Sequence, residues 1–373
     1  MKVGLFDHIE HADKPLHTLY DERLAFIAAA DEAGYWGYHL AEHHCSPINM
    51  VPAPGAFLGA MARSTKRIKI GTLVYLLTLY SPLKLMEEIC MLDHLSNGRM
   101  EVGVGRGVSP FELNYHKVSF DDSREIFIDA YHCLRAALTA GETFSYSGKH
   151  FNYKDVPVWL RPQQQPYPAF WYGSSNATGS TWAGQHGLHF TANGPTPMAR
   201  ENLDIYKAAL AKRGGVEQPK AEFSWPARSG ASADTILSSR SGASADAMDG
   251  AAIGVLREIV VADTDREAER IARPAAEEHL HNLNWLRGKH GAVDLTNRLR
   301  TAGAAKYEDV VREGVMIVGS PDTVVRAIEK QNKELGGVNY LLAYMMFGKM
   351  QLRDALRSLN LFANEVMPRI AKL

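Results

Sequence analysis

Cysteine is scarce in this chain of 373 residues, three in all, at Cys45, Cys90 and Cys133. So few thiols, so far apart, exclude a disulfide framework and a cysteine-type zinc site. Excess charge of either sign is also lacking: 41 Lys and Arg stand against 42 Asp and Glu, a formal net charge of -1. Nothing electrostatic therefore points to nucleic acid or an anionic membrane as partner. No apolar run approaches the roughly 18 residues of a membrane span. The first apolar run, Val3-Gly4-Leu5-Phe6, meets Asp7 and His8 at once, so it reads as a strand and not a signal peptide. A cytoplasmic protein is the expectation. A glycine-rich fingerprint after the first strand is missing too, which argues against an open dinucleotide-binding sheet.

What is present is alternation. Strand-like runs at residues 3–6, 37–41, 67–74, 100–105, 170–173, 188–191, 253–261 and 340–346 are separated by helical periodicity. Gly34 stands where a helix C-cap belongs, and Ser81-Pro82 and Ser320-Pro321 each offer a capping hydroxyl followed by proline at the first helical position. Asn97-Gly98 marks a turn before the fourth strand. A last amphipathic helix carries Leu352, Leu356, Leu359, Phe362 and Val366 on one side, with Pro368 as its stop. Eight strands alternating with helices predict an α/β protein, a (β/α)8 TIM barrel with insertions, forming one domain over residues 1–373. Two segments stand out as inserted or mobile loops. Residues 224–250 are rich in Ser, Ala, Gly and Asp and repeat the run 228–234 at 240–246; residues 273–305 hold His279, His281, Trp285 and His290.

A barrel places its chemistry at the C-terminal ends of its strands. Glu42-His43-His44 closes the second strand there. Adjacent residues on an extended chain point to opposite sides, so one imidazole should face the cavity and the other the wall. Spaced histidine ligands are missing, and no metal site is expected. Gly103-Val104-Gly105-Arg106-Gly107 closes the fourth strand with a guanidinium flanked by glycines, suited to gripping an anion. Gly173-Ser174-Ser175-Asn176-Ala177-Thr178 ends a later strand just before a helix, where free amides and hydroxyls favour phosphate. One arginine and one such loop suit a cofactor or substrate carrying a single phosphate.

These segments, taken in order, resemble the bacterial luciferase-like flavin-dependent monooxygenases. The resemblance is carried by Ala41-Glu42-His43-His44, Lys69-Ile70-Gly71-Thr72 with Ser81-Pro82-Leu83, residues 92–99, residues 103–107, residues 182–187, Val318-Gly319-Ser320-Pro321 and the closing residues 361–368. It implies a barrel that binds reduced FMN at its mouth and oxidises a small, apolar organic substrate with O2 through a C4a-peroxyflavin. It implies that His43 is the catalytic acid or base, with Glu42 and His44 in support. A bulge at Leu73-Val74, often with a non-proline cis peptide in this family, would carry the isoalloxazine beside Gly105. Arg106, Ser174, Ser175 and Asn176 would hold the phosphate. The family also implies FMNH2 delivered by an NAD(P)H:flavin reductase, and a homodimer. Where luciferase has a cysteine before the arginine, this chain has Gly105, which points away from light emission. Competing readings are an F420-dependent oxidoreductase on the same barrel, a non-catalytic flavin-binding relative, and a metal-dependent hydrolase using His43, His44 and His94.

Overall fold

The structure, a computed structural model, describes residues 1–215, 250–288 and 306–373. Eight parallel strands close into a barrel: β1 (Lys2–Asp7), β2 (Gly37–Leu40), β3 (Lys69–Leu76), β4 (Met100–Gly105), β7 (Phe170–Ser174), β8 (His189–Ala192), β9 (Ile253–Val261) and β11 (Tyr340–Tyr344). The ring shuts because β8 pairs with β9, β9 with β11, and β11 with β1. A short extra strand, β10 (Met316–Gly319), lies along the second half of β9. A hairpin outside the barrel, β5 (Thr143–Ser147) with β6 (Asn152–Pro157), forms its own two-stranded sheet. The strands are buried on both faces and so read as near-continuous apolar runs, as parallel strands under helices do.

Helices α1 (Leu16–Glu32), α2 (Pro54–Ser64), α3 (Pro82–Leu95), α5 (Ser123–Leu138), α6 (Ala177–His186), α7 (Thr196–Arg213), α8 (Asp265–Gly288), α10 (Pro321–Glu334) and α11 (Leu352–Leu361) surround the strands. Two short helices, α4 (Pro110–Tyr115) and α9 (Tyr307–Arg312), sit in connections. Among the described residues no helix is long and apolar enough to cross a membrane. Cys90 and Cys133 are buried thiols on α3 and α5, and Cys45 is exposed.

The expected alternation is the observed one, with local differences. The third strand runs two residues further than its apolar pattern, because β3 is offset by the irregularity at Leu73-Val74. Ser81 does precede α3, but its hydroxyl makes no cap; it lies 3.2 Å from the Tyr153 hydroxyl on β6 instead. Pro368 does not stop the last helix. The chain passes from α11 through a π turn, Phe362–Val366, into a final helical turn α12 (Met367–Ile370), where proline at an early position gives up no hydrogen bond. Residues 273–288 of the expected second loop form the latter part of α8. Residues 289–305 and the serine-alanine repeat, 228–234 and 240–246, lie outside the described residues.

Below the mouth the barrel interior holds large polar and aromatic side chains. Glu101 accepts from the Trp171 indole, His39 contacts the Tyr340 hydroxyl at 3.1 Å, and His189 accepts from the Ala252 amide at 2.9 Å. Burial pushes His39 and His189 down to about 3 each and Glu101 up to about 7. The floor is closed, so chemistry belongs to the upper end.

Candidate active site at the barrel mouth

The chain leaves β2 at Leu40 and turns through Cys45, which adopts a left-handed φ of 53°. Asn49 staples this turn, its amide donating to Ala41 O at 3.2 Å and its carbonyl accepting from Val51 N at 2.7 Å. The turn sends the two imidazoles to different places. His43 Nδ1 lies 3.2 Å from Glu112 Oε1 on α4, and Glu112 also accepts from the His44 amide at 2.6 Å. A carboxylate can only accept, so Nδ1 is the donor in this contact, and Nε2 makes no hydrogen bond among the described residues. Burial works to raise Glu112, but His43 and the His44 amide outweigh it and hold the carboxyl below its ordinary value. The pair is the geometry of a histidine acid or base with an orienting carboxylate.

His44 faces the other way. Its Nε2 lies 2.8 Å from Glu42 Oε1, and its ring stands edge-on to His116 at 4.7 Å. Despite burial, the Glu42 bond raises His44 above its ordinary value. A cavity of about 380 Å³ opens behind it, lined also by Tyr80 and Glu88. Glu42 is buried and saturated: besides His44 it accepts from Tyr80 Oη at 3.0 Å and from Leu76 N at 2.8 Å. Its role in the geometry is to tie the end of β3 to the end of β2.

Between those anchors lies the bulge. Pairing of β3 with β4 shifts between Thr72 and Tyr75, and the Leu73-Val74 peptide is cis. Glycines make room for it: a Cβ on Gly105 would stand 2.3 Å from Val74 Cγ2, and one on Gly103 2.1 Å from Thr72 O. Gly173 opposite has nothing nearer than 3.6 Å, with Thr191 Oγ1, Asn193 Nδ2 and Leu73 Cγ around it. Thr191 Oγ1 and Asn193 Oδ1 are buried without a hydrogen-bond partner among the described residues.

Arg106 follows β4 with its guanidinium over the Phe120 ring at 4.6 Å, and its carbonyl accepts from Thr78 at 2.9 Å. No carboxylate pairs with it among the described residues; burial and a second arginine, Arg124, hold it below its ordinary value, with the Tyr172 phenol alongside. Beyond β7, Ser174 Oγ is spent on Asn176 N and O, and Asn176 Oδ1 caps α6 by accepting from Gly179 N at 2.9 Å. Ser174 and Asn176 therefore build the turn. The Ser175 hydroxyl and the first-turn amides of Ala177 and Thr178 are what it offers to an anion. This donor set, two arginines without a carboxylate partner among the described residues and a capped helix start, fits a phosphate. The bulge and the unpartnered Thr191 and Asn193 atoms fit a flat, hydrogen-bonding ring system. The residues present thus suit FMN.

Residue spacing did not bring together the further groups at this rim. Glu10, just past β1, accepts from Tyr344 Oη at 2.5 Å, from His279 Nδ1 at 2.6 Å and from Asn282 Nδ2 at 2.9 Å. His279 Nε2 also lies 3.3 Å from Glu258 on β9. Burial opposes both charges, yet the pairing holds Glu10 at about 2 and pushes His279 up to about 10. The His8 ring bridges the two halves of this rim, 5.5 Å from His43 and 6.1 Å from His279. Glu112, His279 and Glu258 share no motif spacing with the groups they contact; His279 was marked only as part of the 273–305 segment, with His281, Trp285 and His290. Among the described residues no three His, Cys, Asp or Glu are arranged to hold a metal ion.

Comparison with known proteins agrees with this geometry. Residues 1–339 match the family described as luciferase-like monooxygenase. The protein y4wF of Sinorhizobium fredii is 33% identical over 370 residues, 99% of this chain and 97% of that one. Limonene 1,2-monooxygenase of Rhodococcus erythropolis is 26% identical, over 96% of this chain and 83% of its own. The fold matches the oxygenating constituent of 3,6-diketocamphane monooxygenase of Pseudomonas putida, a type II Baeyer-Villiger monooxygenase solved with FMN. That match has a TM-score of 0.77 and 22% identity, and covers 99% of each chain. The chain belongs to the luciferase-like monooxygenase family.

Proposed function

We propose that this protein is the oxygenase of a two-component, FMN-dependent monooxygenase. It takes FMNH2 from a separate NAD(P)H:flavin reductase and inserts one atom of O2 into a small organic molecule by way of the C4a-peroxyflavin usual in its family. The observation that carries the reading is one mouth with two opposed halves. The His43–Glu112 pair lies on one side of the Leu73-Val74 bulge, and Arg106 with the α6 start lies on the other. We further propose that it works in the cytoplasm, as a homodimer.

The bound reduced flavin supplies the two electrons, so that substrate, O2 and FMNH2 become oxygenated substrate, water and FMN. The chain supplies the rest. Arg106, Ser175 and the α6 amides hold the phosphate, with Arg124 adding charge. Leu73, Val74 and Gly105 support the ring, with Thr191 and Asn193 at its polar edge. His43 Nε2 takes or gives the proton, with Nδ1 tied to the Glu112 carboxylate that orients the ring. Glu42 and His44 hold the bulge and the histidine loop in place. The apolar junction of Ile48, Phe111 and Leu286 helps to keep water from the reacting atoms.

The deciding experiment mixes the protein with reduced FMN in aerated buffer and follows absorbance and oxygen uptake. A transient band distinct from oxidised flavin, with O2 consumed, is expected. Hydride transfer from reduced F420 with no O2 uptake would favour the F420-dependent alternative. Tight flavin binding with no transient band and no O2 consumption would leave a non-catalytic relative.

A further inference from the structure

The rim opposite the phosphate side holds an unanswered hydrogen-bond acceptor. On β9, Arg257 turns outward to Gln331 on α10 and to the Gly194 carbonyl, so by strand alternation its neighbour Glu258 points into the barrel mouth. Glu258 is 9% exposed. Its Oε1 is held by His279 Nε2 at 3.3 Å, while Oε2 is buried and has no hydrogen-bond partner among the described residues. An ionised carboxylate has about four acceptor positions. Leaving one oxygen empty in a buried place is costly and rare, and asks for a partner from outside the chain.

Charge narrows the partner. His279 lies between Glu10 and Glu258 with one ring nitrogen toward each, and the buried Arg257 guanidinium on the other face of β9 also acts on Glu258. Nearby, Asp7 and Arg23 cancel each other at 3.0 Å. Arg106 and Arg124 stand at the phosphate side, and the free Glu258 oxygen stands at the other, where an ammonium donor would make a charge-assisted hydrogen bond. The His8 ring lies between this cluster and His43, 6.1 Å from the His279 ring and 5.5 Å from the His43 ring.

We propose that Glu258 is a specificity-determining residue, its free carboxylate oxygen accepting from an N–H or O–H donor on the substrate, best a cationic nitrogen and never a carboxylate. His279 is the positioning residue that fixes the other oxygen and so aims this one. The inference rests on the flavin reading only for what the bound molecule is turned into; the recognition itself is independent of it.

Three probes with one apolar body separate the cases: cyclohexylmethylamine, cyclohexylmethanol and cyclohexanecarboxylate, titrated by calorimetry into the protein with and without FMN. The amine should bind about tenfold or more tightly than the carboxylate, a difference of about 1.4 kcal/mol, with the alcohol between. Glu258→Gln, nearly identical in shape, should erase that ranking while flavin fluorescence titration gives an unchanged FMN affinity. Equal binding of amine and carboxylate, a ranking that survives Glu258→Gln, or no amine binding at millimolar concentration would each overturn the proposal. The wild-type ranking stands as a test even where the variant does not fold. Failure to bind FMN with the ranking intact would sink the flavin reading and leave the Glu258 assignment standing.

Discussion

At the residue scale the decisive contact is His43 with Glu112. His43→Ala should retain FMN binding, because the phosphate residues lie across the mouth, and should lose about 10²–10⁴-fold in product formation, the usual worth of a positioned acid–base group. Glu112→Gln is the finer test. An amide can turn its NH2 toward Nδ1 and favour the wrong tautomer, so turnover should fall at least about tenfold with KM nearly unchanged. Product formation at the wild-type rate in His43→Ala, measured with saturating reductase, would remove His43 from the chemistry. His43 was legible in the sequence because it sits in a tight ionisable triplet at a strand end. Glu112 was not, since it lies 69 residues from His43, and Glu10 lies 269 residues from His279. Only the closed barrel brings such partners together.

At the element scale the alternation of strands and helices was readable because each has its own apolar period. The β5–β6 hairpin escaped it, because its residues are mostly exposed and its alternating face is only the short pair Phe144 and Tyr146 against Tyr153 and Val156. So did α4, whose six residues are too short for a helical period, although it delivers Glu112. The bulge at Leu73-Val74 was placed by resemblance alone, and what accommodates it is steric. Gly103→Ala would set a methyl 2.1 Å from Thr72 O and 2.9 Å from Leu73 Cα, atoms of a backbone that has no side-chain freedom to yield. It should cost about 1–3 kcal/mol or more in urea unfolding and weaken FMN binding further than that loss of stability explains. Gly59 on α2 is the control: nothing lies within 4 Å of a Cβ there, so Gly59→Ala should stabilise by about 0.4–1 kcal/mol. FMN affinity unchanged in a folded Gly103→Ala would separate the bulge from the flavin.

For the whole molecule, the buried groups set the pH range over which the barrel stays folded. His39 and His189 fall from 6.5 to about 3 on burial, so the unfolded chain binds two more protons than the folded one between those values. Stability must then drop as pH falls below 6.5. Glu101 acts in the opposite sense from 4.5 to about 7, since its folded form prefers the proton, and it cancels one of the two over most of that span. Glu10, moved from 4.5 to about 2, adds a third proton to the unfolded side below 4.5. Stability therefore falls as pH drops below 6.5 and falls more steeply below 4.5, with the raised Asp7, Asp93 and Glu88 carboxyls working against the loss. On the alkaline side His279 rises from 6.5 to about 10, so its contribution is complete below 6.5 and drains away as pH climbs through 10. Stability should peak near pH 6.5, decline gently toward alkali and collapse below pH 4.5. Urea unfolding across pH 3–10 measures this directly, and His189→Gln should lower the acid slope by one proton, about 1.4 kcal/mol per unit. An acid limb no shallower in His189→Gln than in the wild type would mean that these imidazoles do not stay neutral inside the barrel.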